Sequence, residues 1–312
     1  MKTNGKRTIA AGGGPRSFMQ NAWKARQAYL FLLPLLISIA VFNYYPPLNG
    51  MYHSFFDWDF IGREKFIGLQ NFREIFHDKV FLDSIPTMII LTIPRLIIGV
   101  VVPLIMAEVI FAVKSVKLKY WYRVLLLLPM VIPGVVGTLI WKFVYDPSQG
   151  LMTSIARWLG VIDSNQVIDW LGNPETVIPS VIFMGFPWIG GTAVLIYMAG
   201  LLNIPNEVIE SSVMDGCGVL RRIWKIDLPL MIGQIRFFVI TGLIGLIQDF
   251  GLQLIITNGG PGYETYVPAF HLYMMAFQSG RMGYASAIGV VMFVFIFALS
   301  IIAHKYLKVN KE

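Results

Sequence analysis

Six apolar stretches, at about residues 28–45, 85–113, 123–145, 177–202, 232–256 and 284–304, leave this chain few possible folds. A helix rising 1.5 Å per residue needs about 20 residues to cross a ~30 Å hydrocarbon layer, and these stretches reach that scale. The fold class expected is all-α: a polytopic membrane protein with about six transmembrane helices. Pro94 and Pro103 in the second stretch and Pro187 in the fourth predict kinks there. A membrane helix tolerates them where neighbouring groups re-satisfy the freed carbonyls.

Composition supports the same reading. Charged residues make up 14% of the 312 and hydrophobic residues 56%, whereas a soluble domain carries roughly 25% charged residues. A net charge of +7 could suggest a nucleic-acid partner, but the basic residues lie between the apolar stretches rather than on one soluble module. The single cysteine, Cys217, excludes an internal disulfide framework. The first stretch is long for a signal-peptide core and ends in Tyr44-Tyr45-Pro46-Pro47 rather than in small residues. It is read as a retained span.

Basic residues also set the orientation. With the N-terminus inside, residues 1–27, 114–123, 203–231 and 305–312 hold 16 Lys and Arg, and the opposite loops hold only six, Arg63, Lys65, Arg73, Lys79, Arg157 and Arg281. The positive-inside rule then places both termini in the cytoplasm, with the chain multi-pass in the cell membrane. The domains expected are a cytoplasmic tail, 1–27, and a transmembrane domain, 28–312, with a cytoplasmic loop at 203–231. The longest external segment, 46–84, contains Asn71-Phe72-Arg73-Glu74-Ile75-Phe76, an amphipathic stretch suited to a membrane interface.

The 203–231 loop reads as helix, turn, helix. Pro205 suits a helix start, and Glu207 and Glu210 favour the positive end of its macrodipole. Asp215-Gly216 is a turn signal, because Gly216 can take the left-handed backbone that ends a helix. Val219, Leu220, Ile223, Trp224 and Ile226 then recur at helical spacing among Arg221, Arg222 and Lys225, and Pro229 closes the segment.

The residues Glu210-Ser211-Ser212, Asp215-Gly216-Cys217, Ile223 and Leu228-Pro229 resemble the EAA motif of bacterial binding-protein-dependent ABC importer permeases, with all spacings kept. Ser211, Ser212 and Cys217 replace three alanines, each by a small residue that still allows close helix packing. The resemblance spans nearly the whole chain and points to the carbohydrate, maltose-permease-like branch. It is carried also by Pro46-Pro47 through Trp58, Phe66-Ile67-Gly68-Leu69-Gln70-Asn71-Phe72, Arg123 to Leu128-Pro129, Ile132-Pro133, Trp141 and the turn Thr257-Asn258-Gly259-Gly260-Pro261 with Tyr273 and Ala276-Phe277. It implies the type I importer permease fold. It also implies a coupling helix that docks into a groove of an ATPase subunit, a second homologous permease in a heterodimer, two ATPase subunits, an extracytoplasmic solute-binding protein and a sugar or oligosaccharide cargo.

A charge at mid-membrane is costly and marks a pathway or a partner. Gln248-Asp249 in the fifth stretch is such a place, and Asp249 aligns with a sugar-contacting position of the maltose-permease branch, with Gly242, Gly245 and Leu246 on the same cavity face. Two glycines there imply room for a ligand; the competing reading pairs Asp249 with a helix of the partner permease. Trp188 and Thr192 offer an aromatic plate and a hydroxyl to a sugar, or a packed tryptophan beside Pro187. Arg95 and Glu108 lie in the second stretch, Glu108 toward its cytoplasmic end and Arg95 facing the interior or the other permease.

No G-x-x-x-x-G-K-[ST] loop occurs in the chain, and the four histidines and Cys217 lack metal-ligand spacing. The chain is therefore expected to be no enzyme and to bind no cofactor or metal, with ATP and Mg on the partner subunits. The functional alternatives are a secondary transporter with Asp249 as proton carrier, and an importer of amino acids or peptides. The first would typically show inverted repeats, and none is visible.

Overall fold

The computed structural model describes residues 26–59, 61–163 and 166–307, so the expected tail up to residue 25 and Lys308 and Lys311 lie outside the described residues. The chain divides into two units, residues 1–52 and 53–312. In the first, α1 runs as Arg26–Ile39, a π turn Ala40–Tyr44 and Tyr45–His53. It extends past the expected end at residue 45. Pro46 and Pro47 bring no N–H to the helical ladder, and the shift to a π turn just before them absorbs that loss.

The second unit opens with a small hairpin, β1 (Phe56–Trp58) paired antiparallel with β2 (Glu64–Phe66). This hairpin was not foreseen. The next helix, α2 (Gln70–Ile75), holds it through the Asn71 amide, which donates to the Ser54 and Phe56 carbonyls at 2.9 and 3.0 Å. Asn71 and Ile75 are buried, so the stretch read as interfacial has its inner face packed within the unit.

Helix α3 (Lys79–Ala112) is 34 residues long, about 50 Å at 1.5 Å per residue. Asp78 caps it by accepting the Phe81 N–H at 3.1 Å. It continues through Pro86, Pro94 and Pro103, so the breaks fall elsewhere. The third expected span divides into α4 (Val116–Leu127), a 3-10 turn Leu128–Val131 and α5 (Gly134–Val144), bent by 88° where Pro129 and Pro133 interrupt the ladder. After α6 (Leu151–Trp158), the fourth divides into α7 (Pro174–Phe183) and α8 (Gly191–Leu202). Between them the backbone leaves the helix at residues 184–190, with Gly185 and Trp188 both at positive φ. Three glycines and Pro187 in Met184-Gly185-Phe186-Pro187-Trp188-Ile189-Gly190-Gly191 disfavour helix there.

The remaining elements are α9 (Asn206–Met214), α10 (Val219–Arg222) running through a π turn Ile223–Asp227 to Leu228–Leu230, α11 (Ile232–Gln248), which resumes after a break into a π turn Gln253–Thr257, α12 (Pro268–Tyr273) running into a π turn Met274–Gln278, and α13 (Met282–Tyr306). Among the described residues, four helices are long and apolar enough to cross a membrane, or up to six when each bent pair counts as one span. Two apolar cores hold the second unit together. One joins Ile75, Phe81, Val181, Phe270 and Ile288, and the other joins Ala107, Ile110, Val194, Tyr197, Leu201 and Met231 beneath the α9–α10 loop.

Candidate coupling loop and membrane charge pair

Helix α9 ends as its sequence directs. Gly216 has φ +69°, the Cys217 N–H donates to the Ser212 carbonyl at 2.9 Å, and the Gly216 N–H donates to the Val213 carbonyl at 3.0 Å. This is the Schellman pattern, with glycine at the one position that needs a left-handed backbone. Ser211 and Ser212 direct their hydroxyls to the Val208 and Ile209 carbonyls one turn back, so neither adds bulk to the helix surface. Ser212 is buried, and Val208 and Ile209 pack on the core below.

The opposite face is open. Val213, Met214, Val219, Leu220 and Trp224 are all exposed, Met214 by 87% and Leu220 by 74%. Glu207, Glu210 and Asp215 are exposed around them, and Cys217 is half-buried. Contiguous exposed apolar side chains rimmed by charge mark an interaction surface. Acids at this density also argue against α9 lying in hydrocarbon, although it forms a 73° bent pair with the apolar α8.

Behind this surface lies a charge cluster that the sequence did not disclose. The Arg222 Nε–H donates to Asp227 Oδ2 at 2.9 Å, and Arg222 Nη2 lies 3.9 Å from Glu108 Oε2 of α3. The guanidinium also sits 5.6 Å from the centre of the Phe111 ring. Glu108 and Asp227 are buried. Leu228 and Pro229 follow directly, and the Met231 N–H closes on the Asp227 carbonyl at 3.0 Å. The available signal was Glu108 itself, a carboxylate in an otherwise apolar stretch.

In α11 the helix unwinds at Asp249, whose backbone is extended at φ −73°, ψ 125°. Its Oδ1 accepts the Gly251 N–H at 3.0 Å, and its Oδ2 accepts from Arg95 Nη2 of α3 at 3.1 Å. The acid thus pairs within its own chain. Backbone unwound at membrane depth is tolerated only where protein covers it or it lines a cavity. Gln248 is exposed and lines a cavity of about 540 Å³ with Ile244, Phe250, Met292, Phe297 and Ser300. Gly245 faces open space, but a Cβ on Gly242 would meet Leu96 Cδ1 at 2.7 Å. The room expected at Gly242 is therefore filled by α3. Leu246 is half-buried.

Trp188 and Thr192 do not line that cavity. Trp188 stands edge-on to Phe183 and Phe186 at 5.4 and 5.0 Å and donates Nε1–H to the Met184 carbonyl at 3.2 Å, which favours the packed-tryptophan reading. Thr192 is exposed with its hydroxyl 3.5 Å from Met130 Sδ.

At the end of the unit away from α9, Tyr266, His271, Asp78 and Tyr284 form a chain of polar contacts. Asp78 Oδ2 accepts from His271 Nε2 at 2.9 Å and from the Tyr284 hydroxyl at 2.7 Å, and the Tyr266 hydroxyl donates to His271 Nδ1 at 3.1 Å. A neutral imidazole protonated on Nε2 satisfies both of its contacts. Burial holds the His271 pKa below its ordinary value, against the pull of Asp78. Asp78 is itself held low: burial works against this, but the bonds from Tyr284 and the Phe81 N–H and the nearby His271 outweigh it.

A family model described as binding-protein-dependent transport system inner membrane component matches residues 99–308. Among curated proteins, the probable ABC transporter permease protein YurN of Bacillus subtilis is 33% identical over 285 residues, covering 91% of this chain and 97% of that protein. The diacetylchitobiose uptake system permease protein NgcF of Streptomyces coelicolor is 28% identical, covering 91% of this chain and 82% of that protein. A solved bacterial ABC transporter involved in import of the acidic polysaccharide alginate contains a chain that superposes with a TM-score of 0.80 at 23% identity, over 95% of this chain and 99% of that chain. That likeness is one of fold.

Proposed function

This chain belongs to the family of binding-protein-dependent transport system inner membrane components, and we propose that it is the sugar-conducting half of an ATP-driven importer whose α9–α10 loop docks on an ATPase subunit. The observation that carries this is the exposed apolar face of Val213, Met214, Val219, Leu220 and Trp224 beside a rigid Schellman turn. Such a face, held at fixed geometry on a core of α3, α8 and α11, suits a helix-in-groove contact.

The rest of the assembly follows from that premise. A second, homologous permease supplies the other half of the pathway, and an extracytoplasmic binding protein delivers the cargo. Two ATPase subunits hold ATP and Mg, so this chain needs neither a cofactor nor a catalytic group. The basic residues orient both termini toward the cytoplasm, which puts the loop where an ATPase reaches it. A saccharide cargo is supported by the diacetylchitobiose named for one relative. Carboxylate and amide groups suit sugar hydroxyls, which both donate and accept, and Gln248 and Asp249 supply them at a break in α11.

Docking is tested by co-purification with the partner ATPase subunit. Met214→Asp or Leu220→Asp should weaken the contact by about 2 kcal/mol, roughly thirtyfold in Kd, while insertion in the membrane is unchanged. Undiminished binding by both variants would refute the docking surface.

A further inference from the structure

Arg222, Glu108 and Asp227 invite a question that packing alone does not answer. Side-chain exposure is 15%, 8% and 0% respectively, and placing charges at such depth costs several kcal/mol per ion. Attaching the loop to α3 does not require it, since Val208 and Ile209 already pack on the Ala107 and Ile110 core. The satisfaction is also lopsided. Arg222 is bonded to Asp227 at 2.9 Å and only near Glu108 at 3.9 Å, and Asp227 Oδ1 and both Glu108 oxygens have no hydrogen-bond partner among the described residues.

One guanidinium therefore faces two buried carboxylates and bonds one of them. Closing about 1 Å toward Glu108 would make a charge-assisted bond of ordinary length, about 2.8 Å, at the expense of the present one. Two discrete arrangements of a packed element are what carries coupling between distant sites. The connected parts are in place. Arg222 and Asp227 border the π turn 223–227 that follows the exposed face of the loop. Glu108 stands on α3, and 13 residues earlier on that same unbroken helix, about 20 Å away, Arg95 holds Asp249 at the break in α11.

We propose that Arg222 is a positioning residue whose exchange between Asp227 and Glu108 passes movement of the ATPase-docking loop to α3, and through Arg95 to Asp249 in the membrane. The proposal rests on the reading of the loop as an ATPase-docking surface. Arg222 touches neither nucleotide nor cargo in this scheme. It links the two because α3 gains a bond to the loop, through Glu108, only when Arg222 leaves Asp227.

The test is hydrogen exchange on the full transporter, with its ATPase subunits, in lipid nanodiscs with and without Mg·AMP-PNP. In the wild type, nucleotide should change exchange both at residues 206–218 and at residues 249–254, which begin at the break after Gln248. Glu108→Gln should keep the first response and lose the second. Arg222→Lys, which keeps the charge but not the planar fork, should do the same. A charge-free triple variant, E108Q with R222Q and D227N, guards against misfolding: it has no unpaired ion to bury and should assemble, yet still lose the response at 249–254. A wild-type response at 249–254 in Glu108→Gln and in the triple variant would overturn the proposal. No response at 206–218 in the wild type would overturn the docking reading itself, and this inference with it.

Discussion

Asp249 illustrates what single residues could and could not announce. Its position among apolar neighbours marked it as purposeful, because a mid-membrane carboxylate is too costly to leave without a partner. The partner is 154 residues away in sequence, on another helix, and no local pattern links the two. With side-chain exposures of 26% and 35% the pair is only partly shielded, so its coupling should be modest, about 1 kcal/mol in a double-mutant cycle of Arg95→Met and Asp249→Leu read by thermal unfolding in detergent. Additivity of the two changes would show that the contact does not stabilise the fold. His271 allows a second test at this scale. Because the folded chain holds its pKa below the ordinary value, near 6.5, the unfolded chain takes up a proton first as pH falls, and stability declines below about pH 6.5. Asp78, held low, acts in the same direction only near and below about pH 4. The midpoint temperature should therefore fall between about pH 7 and 5, and His271→Gln, which keeps a donor for Asp78, should flatten that slope.

At the scale of elements, legibility followed the strength of the constraint. The apolar stretches were readable because lipid offers backbone groups no alternative partner. The end of α9 was readable because Asp215-Gly216 names a turn that only a left-handed residue completes, and Gly216 at φ +69° completes it. The breaks were less so. Helix α3 continues without a break through Pro94 and Pro103, whereas Pro129 and Pro133 break the third stretch; proline removes one donor, and packing decides whether the helix ends there. The hairpin at 56–66 escaped notice because strands of three residues carry too little alternation to read. Gly216→Val should expose the value of the turn. A β-branched residue at positive φ costs roughly 1–3 kcal/mol locally, so α9 should fray and its amides exchange faster, while α3 and α13 stay protected. Unchanged protection in α9 would show that the turn does not depend on glycine.

Taken as a whole molecule, one long helix, α3, bears both the pair with Asp249 and the cluster beneath the loop, and α8 and α11 pack along it. The family to which the chain belongs accounts for a membrane component that works with a binding protein, and the proposed docking on the loop's exposed face would supply the motor. The most direct measurement is uptake into ATP-loaded proteoliposomes that contain this chain with the proposed partner permease and ATPase, using the saccharide held by their binding protein. The account predicts uptake that requires both ATP and the binding protein and is indifferent to proton and sodium gradients. Uptake by this chain without any ATPase, driven by either gradient, would contradict it.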